Sequence, residues 1–99
     1  MTLPTSLRNI HGTSHTLTIH DANSILRSHN ANAVTITIPS DSDVPFELGT
    51  IIVVAKVGAG NITLVAASGV ILQSADATIT AQFTQNGLVK VGFNQWQFG

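Results

Sequence analysis

Apolar residues and threonines alternate along much of this chain, and that alternation limits what it can fold into. In His15–His20, Leu17 and Ile19 fall on one side and Thr16 and Thr18 on the other. Ala33–Ile38 sets Val34, Ile36 and Ile38 against Thr35 and Thr37, Thr78–Phe83 groups Ile79, Ala81 and Phe83, and Gln95–Phe98 alternates Trp96 and Phe98 with glutamines. A period of two marks strands with one buried face, and β-branched Thr, Val and Ile suit a pleated surface. Thr50–Val57 is apolar on both faces and reads as a central strand covered on both sides. Shorter strands are expected at Ile25–Ser28, Asn61–Val65 and Val70–Gln73, with Gly87–Val91 and Phe93–Phe98 as a closing hairpin. Asp21–Arg27 opens as a turn.

Turn residues separate these runs: Gly58-Ala59-Gly60-Asn61, Ser68-Gly69, Gln85-Asn86-Gly87 and Gly92-Phe93-Asn94, with Pro39–Pro45 as a polar loop. Asn86-Gly87 is the strongest hairpin signal, since both residues tolerate positive φ. Short strands at such spacing predict an all-β antiparallel sandwich, jelly-roll-like, or a small barrel. No period of 20 to 50 residues is evident, which argues against a solenoid or propeller. Residues 1–14 carry Pro4 and lack strand alternation, so they read as an N-terminal arm before a β domain over 15–99.

Composition narrows the classes of function. The chain has 99 residues, one domain's worth. Only 9% are charged, the net charge is −1, and there is no Cys. This excludes a disulfide scaffold and a disordered chain. Arg8, Arg27, Lys56 and Lys90 are scattered, so nothing neutralises a nucleic-acid backbone. The longest apolar run, Ile51–Ala55, is too short to span a bilayer, and Met1–Arg8 lacks the apolar stretch of a signal peptide. High apolar content, low charge and small size favour a symmetric oligomer.

Chemistry-bearing residues are sparse. His11, His15, His20 and His29 lack the spacing of a metal site and read as surface or interface histidines, so neither metal nor cofactor is expected. On an interface they would charge as pH falls through about 6.5. Asp41 and Asp43, with Glu47, lack the glycine and distant glutamate of a calcium loop and read as a solvated loop. Gly58-Ala59-Gly60 reads as a turn, not half of a dinucleotide fingerprint, and no nucleophile–base–orienter set is visible. The chain is expected not to be an enzyme. Trp96 and Phe98 are expected in the core.

The ordered set Thr16-Leu17-Thr18-Ile19-His20-Asp21-Ala22, Ala33–Pro39, Pro45–Thr50, Ile51–Val54, Gly58–Leu64, Ala67–Leu72, Leu88–Val91 and Asn94–Trp96 resembles small β domains of tailed-bacteriophage structural proteins, over Thr16 to Phe98. The resemblance implies a β-sandwich that trimerises and is displayed on a virion, with no catalytic residues. Because the β domain begins soon after Met1, the expected role is a homotrimeric capsid decoration (cement) protein. It would sit on the outer capsid surface and grip the major capsid protein through the arm residues Leu3, Pro4, Leu7, Arg8, Ile10 and His11. The alternative is a receptor- or glycan-binding tip of a tail fibre.

Overall fold

Ala33–Ile38 and Gln95–Phe98 form strands along most or all of their length, His15–His20 and Thr78–Phe83 only at their starts, and most strands pair with neighbours running the same way. The computed structural model describes residues 6–99. The strands are β1 (Ser6–Ile10), β2 (Ser14–Thr16), β3 (Ser24–Ser28), β4 (Val34–Ile38), β5 (Ile51–Lys56), β6 (Ile62–Ala66), β7 (Ile71–Gln73), β8 (Thr78–Ile79), β9 (Thr84–Gly92) and β10 (Gln95–Phe98). One sheet has the order β1-β3-β5-β9-β10-β7 and the other β2-β4-β6-β8. Consecutive strands from β1 to β6 therefore alternate between sheets. Each return to a sheet lands one strand further along, parallel to the last.

This is a small β-solenoid of about four turns, and the expected antiparallel sandwich or barrel is corrected accordingly. The error lay in pairing: alternation fixes which side chains face inward but not the direction of the neighbouring strand. The chain does repeat, contrary to the expectation that it lacks a period of 20 to 50 residues. Ile25 lies beside Val53 and Val34 beside Ile62, both 28 residues on, whereas Ser6 lies beside Ser24 and Ser14 beside Thr35, steps of 18 and 21. Unequal turns hide the repeat.

The corners set the stacking distance. Between β5 and β6, the Gly58 amide donates to the Ser28 carbonyl and the Gly60 amide to the Asn30 carbonyl, each at 2.9 Å. One turn back, the Asn30 side-chain amide donates to the Gly12 carbonyl at 2.9 Å. A Cβ on Gly58 would lie 2.3 Å from the Asn30 carbonyl oxygen, so a larger residue does not fit.

Leu26, Val34, Ile36, Ile38, Ile52, Val54, Ile62 and Leu64 fill the space between the sheets. Each such burial stabilises the fold by about 1.5–3 kcal/mol. The far end closes differently. Strand β9 runs antiparallel to β5, β10 runs antiparallel to β9, and β7 lies parallel to β10. Trp96 and Phe98 are buried there as expected, and Phe46 packs edge-on against Trp96 with ring centroids 5.3 Å apart.

Several local expectations change. Asn86-Gly87 lies inside β9 and not at a turn, whereas the expected closing hairpin is present as β9–β10 and turns at Phe93-Asn94, where Asn94 has φ 52°. Only Thr78–Ile79 of Thr78–Phe83 is strand; Ala81 and Phe83 are exposed. Leu17 is buried, whereas Ile19 is exposed on a 3₁₀ turn, Ile19–Asp21. From Ser6 onward the segment expected as an arm pairs with β3 over the whole of β1.

Candidate functional site

The outer face of the six-stranded sheet is built by the odd-numbered positions of its first strands. Register places Leu7 beside Ile25, and Ile25 beside Val53. Ile51 lies beside Val89 on the adjoining strand pair. These side chains point away from Leu26, Ile52 and Val54 and out of the solenoid. Leu7 is 59% exposed, and Ile25, Ile51, Val53 and Val89 are partly exposed. The result is an apolar surface of five aliphatic residues, bordered by the Asn9–Arg27–Ala55–Gln85 rung. The expectation that β5 is covered on both faces holds on the inner side only within this chain.

The outer face of the four-stranded sheet is mostly polar, with one exposed aliphatic, Val65, beside Thr37. Ser14, Thr35, Thr63 and Thr78 form one continuous rung, and Thr16 and Thr37 pair beside it. Thr63 and Thr78 hydroxyls are 3.3 Å apart. The two faces thus differ sharply in what they offer a partner.

At the first turn the interior includes a polar group beside the apolar Ile10 and Leu17. The Asp21 carboxylate is fully buried. Arg8 Nε lies 2.9 Å from Oδ1 as an ion contact, and His15 Nε2 lies 2.9 Å from Oδ2. The Thr18 amide also donates to Oδ2, at 2.9 Å. Arg8 is there because β1 turns its even positions inward, where Arg8 pairs with Leu26 in register. These residues hold each other, and the arrangement closes one end of the core.

A second polar group ties the Pro39–Pro45 loop to the closing hairpin. The Lys90 ammonium is buried and hydrogen-bonds Asp41 Oδ1. Asp41 and Asn94 exchange bonds: the Asp41 amide donates to Asn94 Oδ1 at 2.7 Å, and the Asn94 amide to Asp41 Oδ2 at 3.0 Å. Lys90 Nζ also sits 5.3 Å from the Trp96 ring centroid, a cation–π contact. Burial opposes ionisation of Asp41, but the Lys90 and Asn94 hydrogen bonds and the Lys90 charge outweigh it. Its carboxyl is held below the ordinary value. Asp41 is therefore a structural anchor, while Asp43 and Glu47 are exposed.

His11 follows Ile10 and His29 follows Ser28, which are partners in register, so the two histidines occupy adjacent strand ends. Both are exposed, and with Ile10, Gly12 and Asn30 they line a pocket of about 220 Å³. His29 Nε2 lies 3.2 Å from Asn9 Oδ1. Among the described residues, no group of three or more His, Asp or Glu is placed to hold a metal ion.

The contact residues expected from sequence are dispersed. Leu3 and Pro4 lie outside the described residues. Leu7 is on the apolar outer face, Arg8 contacts Asp21, Ile10 is buried in the core, and His11 is exposed. Asp21 and Lys90 were not singled out from sequence. For Lys90 the available signal was its place between Val89 and Val91 in an alternating strand; Asp21, between His20 and Ala22, carried none. Among the described residues no helix is long and apolar enough to cross a membrane. Comparison of the chain with family models, curated proteins and solved structures gives no match.

Proposed function

We propose that the chain is a structural protein of a tailed-bacteriophage virion, a homotrimeric capsid decoration (cement) protein that binds the outer capsid surface and clamps adjacent capsomers. The observation that carries this reading is the apolar outer face of Leu7, Ile25, Ile51, Val53 and Val89. A contiguous aliphatic sheet face rimmed by polar residues is the usual mark of a protein–protein surface. A closed threefold arrangement covers such a face on every copy. The low charge fits contacts that are apolar and hydrogen-bonded rather than ionic. The Thr-rich face of the other sheet remains available to a second partner, the major capsid protein. Binding to the assembled lattice and not to free subunits stabilises the shell by mass action.

Light scattering tests the assembly. The wild-type chain is expected at three times its monomer mass, and Val53→Lys at the monomer mass with an unchanged far-UV circular dichroism spectrum. A monomeric wild type overturns the trimer. Purified protein added to expanded empty capsids tests the role: saturable binding at hundreds of copies supports decoration, and no binding overturns it.

A further inference from the structure

At one end of the β5–β9 pair, a second pocket of about 190 Å³ is lined by Arg27, Ala55, Lys56, Val57, Phe83, Thr84 and Gln85. Two features there mark it out. Phe83 has φ 64° and is 77% exposed, an aromatic in a backbone conformation that favours Gly or Asn and with its ring in water. Its amide is fixed in that conformation by a 2.7 Å bond to the Lys56 carbonyl. Arg27 makes no ion pair among the described residues, although every acidic side chain of the sequence lies within them. Lys56 adds a second positive charge: it is buried, its ammonium turned inward to the Thr80 carbonyl at 2.7 Å, again without a carboxylate.

We propose that this pocket binds a carboxylate carried on a ring, with Arg27 taking the carboxylate and Phe83 packing on the ring. The guanidinium presents paired donors that match a carboxylate in a plane. Gln85, exposed across Ala55 from Arg27, supplies a further amide, and Ala55 between them makes a small floor. The volume equals roughly six waters' share of liquid, enough for one ring and its acid group. Uncompensated positive charge selects the anion, and the exposed ring adds apolar contact that a bare ion cannot use. An acidic sugar and an aromatic acid share this chemistry. The site adjoins the apolar face along the Arg27–Ala55–Gln85 rung, but the unpaired Arg27 and the Phe83 backbone are features of the single chain, so a monomeric chain leaves it intact.

The test is titration of the isotopically labelled full chain with glucuronate, benzoate, glucose and acetate, followed by amide and side-chain chemical shifts. Saturable shifts at Arg27, Phe83 and Gln85 are expected with glucuronate or benzoate, at least tenfold tighter than with acetate or glucose. Whichever ring acid binds tighter identifies the source. Phe83→Gly relieves the backbone conformation, so it is expected to keep or raise the melting temperature while weakening binding at least tenfold. Arg27→Gln is expected to abolish the preference for glucuronate over glucose. Equal responses to all four compounds, no shifts at these residues, or unchanged affinity in both variants overturns the proposal.

Discussion

Gly60 lies so close to Asn32 on the preceding turn that a Cβ at Gly60 would sit 1.8 Å from the Asn32 carbonyl oxygen. That oxygen belongs to the backbone, so neither side can yield without moving the corner. Gly60→Ala is therefore expected to separate the second and third turns and to cost at least about 2 kcal/mol, in the range of overpacked cores. For a chain of this length the melting temperature should fall by roughly 8 °C or more. A Gly60→Ala variant melting within two degrees of wild type on the same scan would show that the corner has slack.

The Asp41–Lys90 pair should be the costliest polar contact to break. Lys90 is almost fully buried, so truncating its partner leaves an ammonium against Trp96 with no carboxylate paired to it among the described residues. Asp41→Ala is expected to destabilise by about 3 kcal/mol, the lower end for a broken buried pair because Asp41 is partly exposed. It also releases the Asn94 amide, so protection of the Phe93-Asn94 turn from hydrogen exchange should fall with it. Urea denaturation measures the first effect. A double variant, Asp41→Ala with Lys90→Met, should recover part of the loss, since it removes the stranded charge.

The same carboxylate gives the fold an acid-sensitive term. Its folded-state pKa lies below its unfolded value, so its contribution is fully present above about 4 and is lost as pH falls through the lowered folded value. Wild type should lose stability from this group below about pH 4, and Asp41→Ala should lose less over the same interval. The two unfolding curves, well separated at pH 7, should converge on acidification. A stability gap that stays constant from pH 7 to pH 2 would show that the ionised form contributes nothing.

The solenoid was legible in part. The inward face read correctly from alternation in Val34, Ile36 and Ile38, all buried, but not in Ile19, Ala81 and Phe83, where the strand has ended. The step of 28 residues was present too: Leu26, Val34 and Ile36 correspond to Val54, Ile62 and Leu64. The repeat is masked because the first turn is shorter and the last abandons the pattern for antiparallel strands. Asn86-Gly87 misled for a related reason. Gly87 exchanges backbone bonds with Gly99 at 3.1 Å while pairing with Val53, so a residue typical of a turn serves in mid-sheet. Polar partners were the least legible. Asp41 and Lys90 are 49 positions apart, and Arg8 reaches Asp21 only because the first turn of the solenoid closes between them. Such contacts depend on how strands stack, which periodicity alone does not encode.

The buried Asp21 group makes a ranking that mutation can check. Asp21 is fully enclosed, whereas the Arg8 side chain is 46% exposed and the His15 side chain 26%. Asp21→Asn keeps an acceptor for the Thr18 amide but removes the charge that Arg8 and His15 face. It is expected to cost about 2–3 kcal/mol, because a buried polar group loses matched partners. Arg8→Ala should cost no more than about 1 kcal/mol, since water replaces a half-exposed guanidinium and the carboxylate keeps Thr18 and His15. Urea unfolding of the two variants, at equal slope, decides between this ordering and its reverse. If Arg8→Ala proved the more damaging, the ion contact at Oδ1 rather than the enclosure of Asp21 would be what holds the first turn closed.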